Sequence, residues 1–194
     1  GELREAAAAP GLRQTETLGF PSMIRAGDAL RLGEIKAMAA GFPLRGSFLL
    51  RDPATGAERD ADGIPAPGTL WMSRAGADTL GAQVGDVIGI GNSELRLAAL
   101  VLQEPDAALD YFNTAPRVFL NLDDVPATGL VQEGSRITYR LVVAGDASAV
   151  ERFSALARQN LARGQRLETA GDARPEIRRA LERAGQFLSL AALV

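Results

Sequence analysis

FPSMIRAGDALRLGEIKAM, residues 20–38, reads as extended chain folded back on itself. Met23-Ile24-Arg25 leads into a Gly27-Asp28 turn, after which Leu30, Leu32 and Ile35 interleave with polar positions. Apolar residues spaced this way between turn residues mark strands with one buried face. Before it, Glu2-Leu3-Arg4-Glu5 and four alanines are strongly helix-forming up to Pro10, so residues 1–15 read as the end of a helix and a linker. After it, Phe48 and Leu50 share one face of a short strand, and Asp52-Pro53-Ala54-Thr55-Gly56 is turn chemistry. Ile64-Pro65-Ala66-Pro67-Gly68 is a stiff connector to a strand at Leu70-Trp71-Met72. Ser73 is placed to cap a helix that stops at Leu80-Gly81. Val87 to Ile90 and Leu95 to Leu102 pair as a hairpin around Gly91-Asn92-Ser93, with Leu95, Leu97, Ala99 and Val101 on one face.

Val118 to Leu122 is a further strand, ended by Asp123-Asp124, which cap the turn before Pro126. Ile137, Tyr139, Leu141 and Val143 alternate with Arg136, Thr138, Arg140 and Val142, the pattern of a half-buried strand. Ser148-Ala149-Val150-Glu151 has the form of a capping box. The helix it opens carries Val150, Phe153, Ala157 and Leu161 on one stripe and closes at Gly164, before a short strand at Arg166-Leu167-Glu168. A last helix starts at Asp172, with Pro175 near its first turn and Ile177, Leu181, Ala184 and Leu188 as its apolar stripe. Arg178, Arg179, Glu182 and Arg183 take its wet side, which carries no charge after Arg183. The chain then runs into FLSLAALV, residues 187–194, far short of the ~20 apolar residues that span a bilayer. The expectation is a soluble piece cut at the mouth of a transmembrane helix, with the N-terminal helix leaving beside it. The fold class is α+β, with residues 49–113 as a β-rich insert between segments that carry the long helices.

The 194 residues suffice for a core and for one or two domains. An apolar fraction of 46% and a charged fraction of 23% are those of a globular protein. The net charge of −3, with both signs interspersed, and the lack of a Lys/Arg stripe exclude a nucleic-acid partner. All basic residues but Lys36 are arginine. Without cysteine or histidine the chain has no thiol nucleophile, no Cys- or His-based zinc site, no Ser-His-Asp triad and no histidine pH switch.

The remaining motifs read as structure. Asp60-Ala61-Asp62-Gly63 lacks the third carboxylate and closing Glu of a calcium loop and reads as a turn. Glu104, Asp106 and Asp110 are the residue types of a general acid–base pair, but around Pro105 they read as a solvated loop. The run from Gly85 to Gly91 lacks the lysine and following helix of a phosphate loop and reads as a strand between turn glycines. The serines have no histidine partner, and a Ser-Lys pair would have to use Lys36, which sits in a strand pattern. Trp71 reads as a buried core aromatic rather than an exposed anchor.

Four stretches carry a resemblance: residues 20–48, 64–91 (IPAPGTLWMSRAGADTLGAQVGDVIGIG), 115–145 (APRVFLNLDDVPATGLVQEGSRITYRLVVAG) and 164–194 (GQRLETAGDARPEIRRALERAGQFLSLAALV). Together they resemble the first large periplasmic domain of the YbbP-like ABC transporter permeases, of the FtsX/MacB-type superfamily. The resemblance implies a porter-like α/β subdomain (16–48 and 114–171) with an inserted β-rich sabre-like subdomain (49–113). These would be flanked by an N-terminal stalk helix and linker (1–15) and a C-terminal stalk helix leading into a transmembrane span (172–194). It implies a place on the periplasmic side of the bacterial inner membrane. It also implies mechanotransmission, in which ATP hydrolysis in a separate cytoplasmic ATPase moves the spans and the periplasmic domains follow. The partners implied are that ATPase, a second periplasmic domain of the same permease, a periplasmic GDSL-type esterase or thioesterase, and a hydrophobic or lipid-like cargo. No catalytic, cofactor-binding or metal-binding residue is expected. The stalk and membrane-junction residues are Ile177, Leu181, Phe187 and Leu188, on a continuous helix that adds ~1.5 Å per residue as a lever. A periplasmic ligand- or partner-binding module without a force-transmitting role is the alternative. A hydrolase is disfavoured by the missing histidine, cysteine and nucleophile.

Overall fold

A computed structural model describes residues 2–53, 55–61, 63–105, 115–132 and 134–169. The residue 20–38 hairpin is present: β1 (Leu12–Ala26) pairs antiparallel with β2 (Ala29–Met38), from Thr17↔Met38 to Ala26↔Ala29. Gly27 and Asp28 form the two-residue turn, and Gly27 takes the left-handed φ of +54° that such turns demand. Side chains in a strand change face with each residue. Position 35 is therefore out of phase with 30 and 32: Ile35 is buried, whereas Leu30 and Leu32 face solvent. Gly33 holds the inward phase between them, where a Cβ would run into Ile24 Cδ1 and Pro116 O.

The other strands are β3 (Phe48–Arg51), β4 (Glu58–Ala61), β5 (Thr69–Ser73), β6 (Val87–Ile90), β7 (Ser93–Gln103), β8 (Arg117–Asn121) and β9 (Thr138–Gly145). The ladders β1–β2, β2–β8, β8–β5, β5–β7, β7–β6 and β6–β1 close a ring of six strands. Two strands are long enough to serve two neighbours along one edge. The 15-residue β1 pairs first with β9 and then with β6, and the 11-residue β7 pairs first with β6 and then with β3. Residues 48–103 supply β3 to β7, and this stretch is laddered to β1 and β8.

Two cores lie on the two faces of this sheet. The first contains Ile24, Ile35, Leu70, Met72, Ile88, Leu97, Val118 and Leu120. The second contains Met38, Phe42, Phe48, Leu50, Trp71, Ala99, Val101 and Phe119. Trp71 is therefore a core residue. Phe48 meets the rings of Trp71 and Phe119 edge-on, each at 5.4 Å between centroids, the arrangement aromatic quadrupoles favour. β5 and β8 are buried on both faces, which explains their unbroken apolar runs. Leu95, Leu97, Ala99 and Val101 do not share one face. Register slips between Leu70↔Leu97 and Trp71↔Ala99, so a bulge sends Leu95 and Leu97 to the first core and Ala99 and Val101 to the second.

The helices among the described residues are few. α1 (Glu2–Ala7) leads into β1 through only four residues, so the linker is shorter than residues 8–15. α2 (Arg74–Leu80) has the predicted ends: Ser73 Oγ accepts the Gly76 N–H, and Gly81 closes it at φ +66°. Before α3 (Val125–Thr128) it is Asn121 whose side chain accepts the Asp123 N–H, while the Asp124 carboxylate accepts the Gly68 N–H across the chain. β9 also departs from the pattern. It is an edge strand with Tyr139 exposed, and Val142, assigned by alternation to the wet side, packs against the second core. α4 (Ala147–Asn160) starts before Ser148, which therefore lies in its first turn and forms no capping box.

The chain divides into two units, 1–150 and 151–194. The described part of the second holds the rest of α4, a turn closed by Gly164 at φ +85°, and Arg166 paired with Glu168 at 2.7 Å. Residues 166–168 are not a strand. The last helix predicted from Asp172 lies outside the described residues. No helix among the described residues is long and apolar enough to cross a membrane.

Candidate functional site

The stalk residues Ile177, Leu181, Phe187 and Leu188 lie outside the described residues, as do Asp106 and Asp110. The candidate site on the described chain is the joint between α1 and the sheet. Arg4 reaches Glu16 of β1 with two donors, Nε to Oε1 at 2.7 Å and Nη2 to Oε2 at 2.8 Å. This is the bidentate fork that guanidinium and carboxylate geometry favours. The Tyr139 hydroxyl, on β9, donates to Glu16 Oε2 at 3.2 Å, and Gln14 donates to the Arg4 carbonyl at 3.2 Å. Ala7 is fully buried. α1 is thereby tied to β1 and β9, and β1 in turn runs through the ladders with β2, β9 and β6. No local pattern announces this joint. Glu16 is one polar residue in a strand, and its partners are 12 and 123 positions away.

A second cluster replaces the solvated loop predicted at Glu104. Its side chain is only 9% exposed, and it receives Arg117 Nη1 and Nη2 at 3.0 Å each. Lys36 Nζ lies 3.7 Å away and also stands 4.9 Å over the Phe42 ring. The sole lysine thus serves an ion-pair triad, with its ammonium over a ring of the second core. The triad joins the end of β7 to β2 and β8. Chemically it offers one carboxylate already engaged by two cations, which suits stability rather than acid–base work.

A third feature is a groove of about 500 Å³ on the outer face of the β1–β2 hairpin, lined by Pro21, Met23, Leu30, Leu32 and Leu130. Met23 and Leu32 are cross-strand partners, 46% and 62% exposed. Arg25 lies along its edge, paired with Glu94 at 3.0 Å, over the bare backbone of Gly89. Elsewhere, the phosphate-loop lookalike is β6 between turn glycines, and Asp60 lies in β4, accepting from Ser47 Oγ at 2.8 Å. Among the described residues no group of three or more acidic, histidine or cysteine side chains could hold a metal ion.

No family model matches the chain. Over 190 residues, 98% of its length, it is 32% identical to an uncharacterized ABC transporter permease, YbbP of Escherichia coli (strain K12). It spans 23% of the length of that permease. Among solved structures it is similar to the periplasmic region of MacB from Actinobacillus actinomycetemcomitans. That likeness has a TM-score of 0.53 at 11% identity and covers 81% of this chain and 72% of the other. At such low identity it is a likeness of fold.

Proposed function

We propose that this chain, a YbbP/MacB-like domain by sequence and by fold, is the periplasmic part of an ABC transporter permease. In this reading it relays movement: ATP hydrolysis in a separate cytoplasmic ATPase shifts the membrane spans, and the domain follows. It performs no catalysis itself. The observation that best supports a mechanical role is the α1–β1 joint. A helix held by a bidentate ion pair to a strand shared among three ladders moves the sheet when it moves. A flexible Gly/Ser connection would dissipate the same displacement. Residues 172–194 would supply a second lever, with Ile177 and Leu181 as its seam and Phe187-Leu188 at the membrane junction. The cargo class we favour is hydrophobic or lipid-like, and a periplasmic esterase or thioesterase is a partner to test.

The test uses the full-length permease assembled with its ATPase. Arg4→Glu sets two carboxylates against each other at the joint and should lower transport per ATP hydrolysed. The exchange Arg4→Glu/Glu16→Arg should restore it. Unchanged coupling in the single variant, at normal expression, would remove the mechanical reading. The hairpin groove favours a second reading, a ligand- or partner-binding module without force transmission. Tight binding of an apolar molecule by the chain alone, lost in Leu32→Asn, would put that reading first.

A further inference from the structure

The structure assigns an anion site, one that takes a phosphate group, to the cavity where the start of β1 meets the β9–α4 corner and the loop before β3. The cavity, of about 640 Å³, is lined by two guanidiniums, Arg13 and Arg45, together with Gly11, Gly145 and Asp146. Both arginines are oriented by one hydrogen bond each. Arg13 Nη2 donates to the Leu44 carbonyl at 2.8 Å, and Arg45 Nη2 donates to the Gly145 carbonyl at 3.1 Å. A guanidinium carries five N–H donors, so each keeps most of its donors for something else. Among the described residues neither arginine forms an ion pair. By contrast, Arg4, Arg25, Arg117 and Arg166 each face a carboxylate.

Two glycines let the start of β1 and the Gly145–Asp146 corner pack closely at the edge of the cavity. Gly11 sits at φ +84°, and a Cβ on it would lie 3.2 Å from Asp146 Oδ2. A Cβ on Gly145 would run into the Gly11 carbonyl. Arg13 and Arg45 are exposed, and two planar forks beside one cavity match the oxygens of a phosphate group better than ammonium groups would. Asp146 works against an anion in the same cavity, so binding is weak, and its charge becomes a handle for the test.

The experiment follows backbone amide shifts of the isotope-labelled chain titrated with inorganic phosphate at low salt. Gly11, Leu12, Gly145 and Asp146 should shift saturably. The double variant Arg13→Gln/Arg45→Gln should bind about ten-fold or more weakly, as expected for losing charge-assisted hydrogen bonds. Asp146→Asn should bind several-fold more tightly. Arg45→Lys, which keeps the charge, controls for misfolding and should retain part of the binding. Vesicles distinguish the source of the phosphate. Co-sedimentation with phosphatidylglycerol vesicles but not phosphatidylcholine vesicles, lost in the double variant, identifies a lipid headgroup. Phosphate binding without vesicle binding identifies a soluble phosphate. No saturable shift at these residues, or equal binding by the double variant, overturns the site. This result is independent of the transport reading, which the Arg4 variants test separately.

Discussion

Glu104→Gln is the substitution whose effect the structure specifies most closely. The carboxylate is 9% exposed and holds Arg117 by two 3.0 Å contacts and Lys36 at 3.7 Å. The amide keeps the size but removes the charge that faces Arg117 and Lys36. Breaking a fully buried pair costs about 3–5 kcal/mol. Here the cations retain some water, at 29% and 14% side-chain exposure, so we expect about 2–3 kcal/mol. For a chain of this size that corresponds to a fall in Tm of about 5–10 °C. Urea unfolding followed by circular dichroism is the assay, with the slope of free energy against denaturant compared between variants. Glu94→Gln, in an exposed pair with Arg25, is the internal control and should cost less than about 1 kcal/mol. A double-mutant cycle with Arg117→Gln should return a coupling of about 1 kcal/mol or more. A loss below about 0.5 kcal/mol for Glu104→Gln, at unchanged slope, would refute the triad and return Glu104 to a solvated loop.

Phe48→Ala removes the ring between Trp71 and Phe119; it should cost about 3–5 kcal/mol and shift Trp71 emission, read in the same unfolding experiment. Gly33→Ala should destabilise by about 1–3 kcal/mol, because its Cβ meets Ile24 and the Pro116 backbone. Leu32→Asn, at an exposed position, should leave stability within about 0.5 kcal/mol. In the same chain, titration with an apolar fluorescent probe should show weaker binding if the groove is a binding surface.

Local chemistry made much of the fold legible. The Gly27-Asp28 reversal, the Ser73 and Gly81 helix ends, the Asp52 to Gly56 turn and the Gly91 hairpin all depend on residues within a few positions of one another. Errors arose where distant chain intervenes. Alternation cannot reveal the bulge near Leu97, because the extra residue is defined by its partner strand β5. It cannot place Val142 in a core built by β3, β5, β7 and β8. Glu104 looked solvated because its neighbours are polar, while its partners are 13 and 68 positions away. Asn121 took the cap from Asp123-Asp124 because Asp124 is drawn to the Gly68 amide, 56 positions distant. The ring closure follows the same logic: it rests on parallel ladders β2–β8 and β5–β7 that no hairpin signal encodes. The joint at Arg4, Glu16 and Tyr139 was hidden for that reason too.

The most direct test of the proposed relaying role is a distance measurement in lipid, on the full-length protein assembled with the ATPase that the proposal requires. Spin labels on an exposed position of β4, such as Arg59, and on a second site outside the chain would report movement of the sheet. A further pair, on α1 and β4, would report movement within the domain. A relay predicts that the first distance changes between ATP-bound and nucleotide-free states while the second stays constant. Identical distances in both states, in a preparation that hydrolyses ATP and transports, would contradict it.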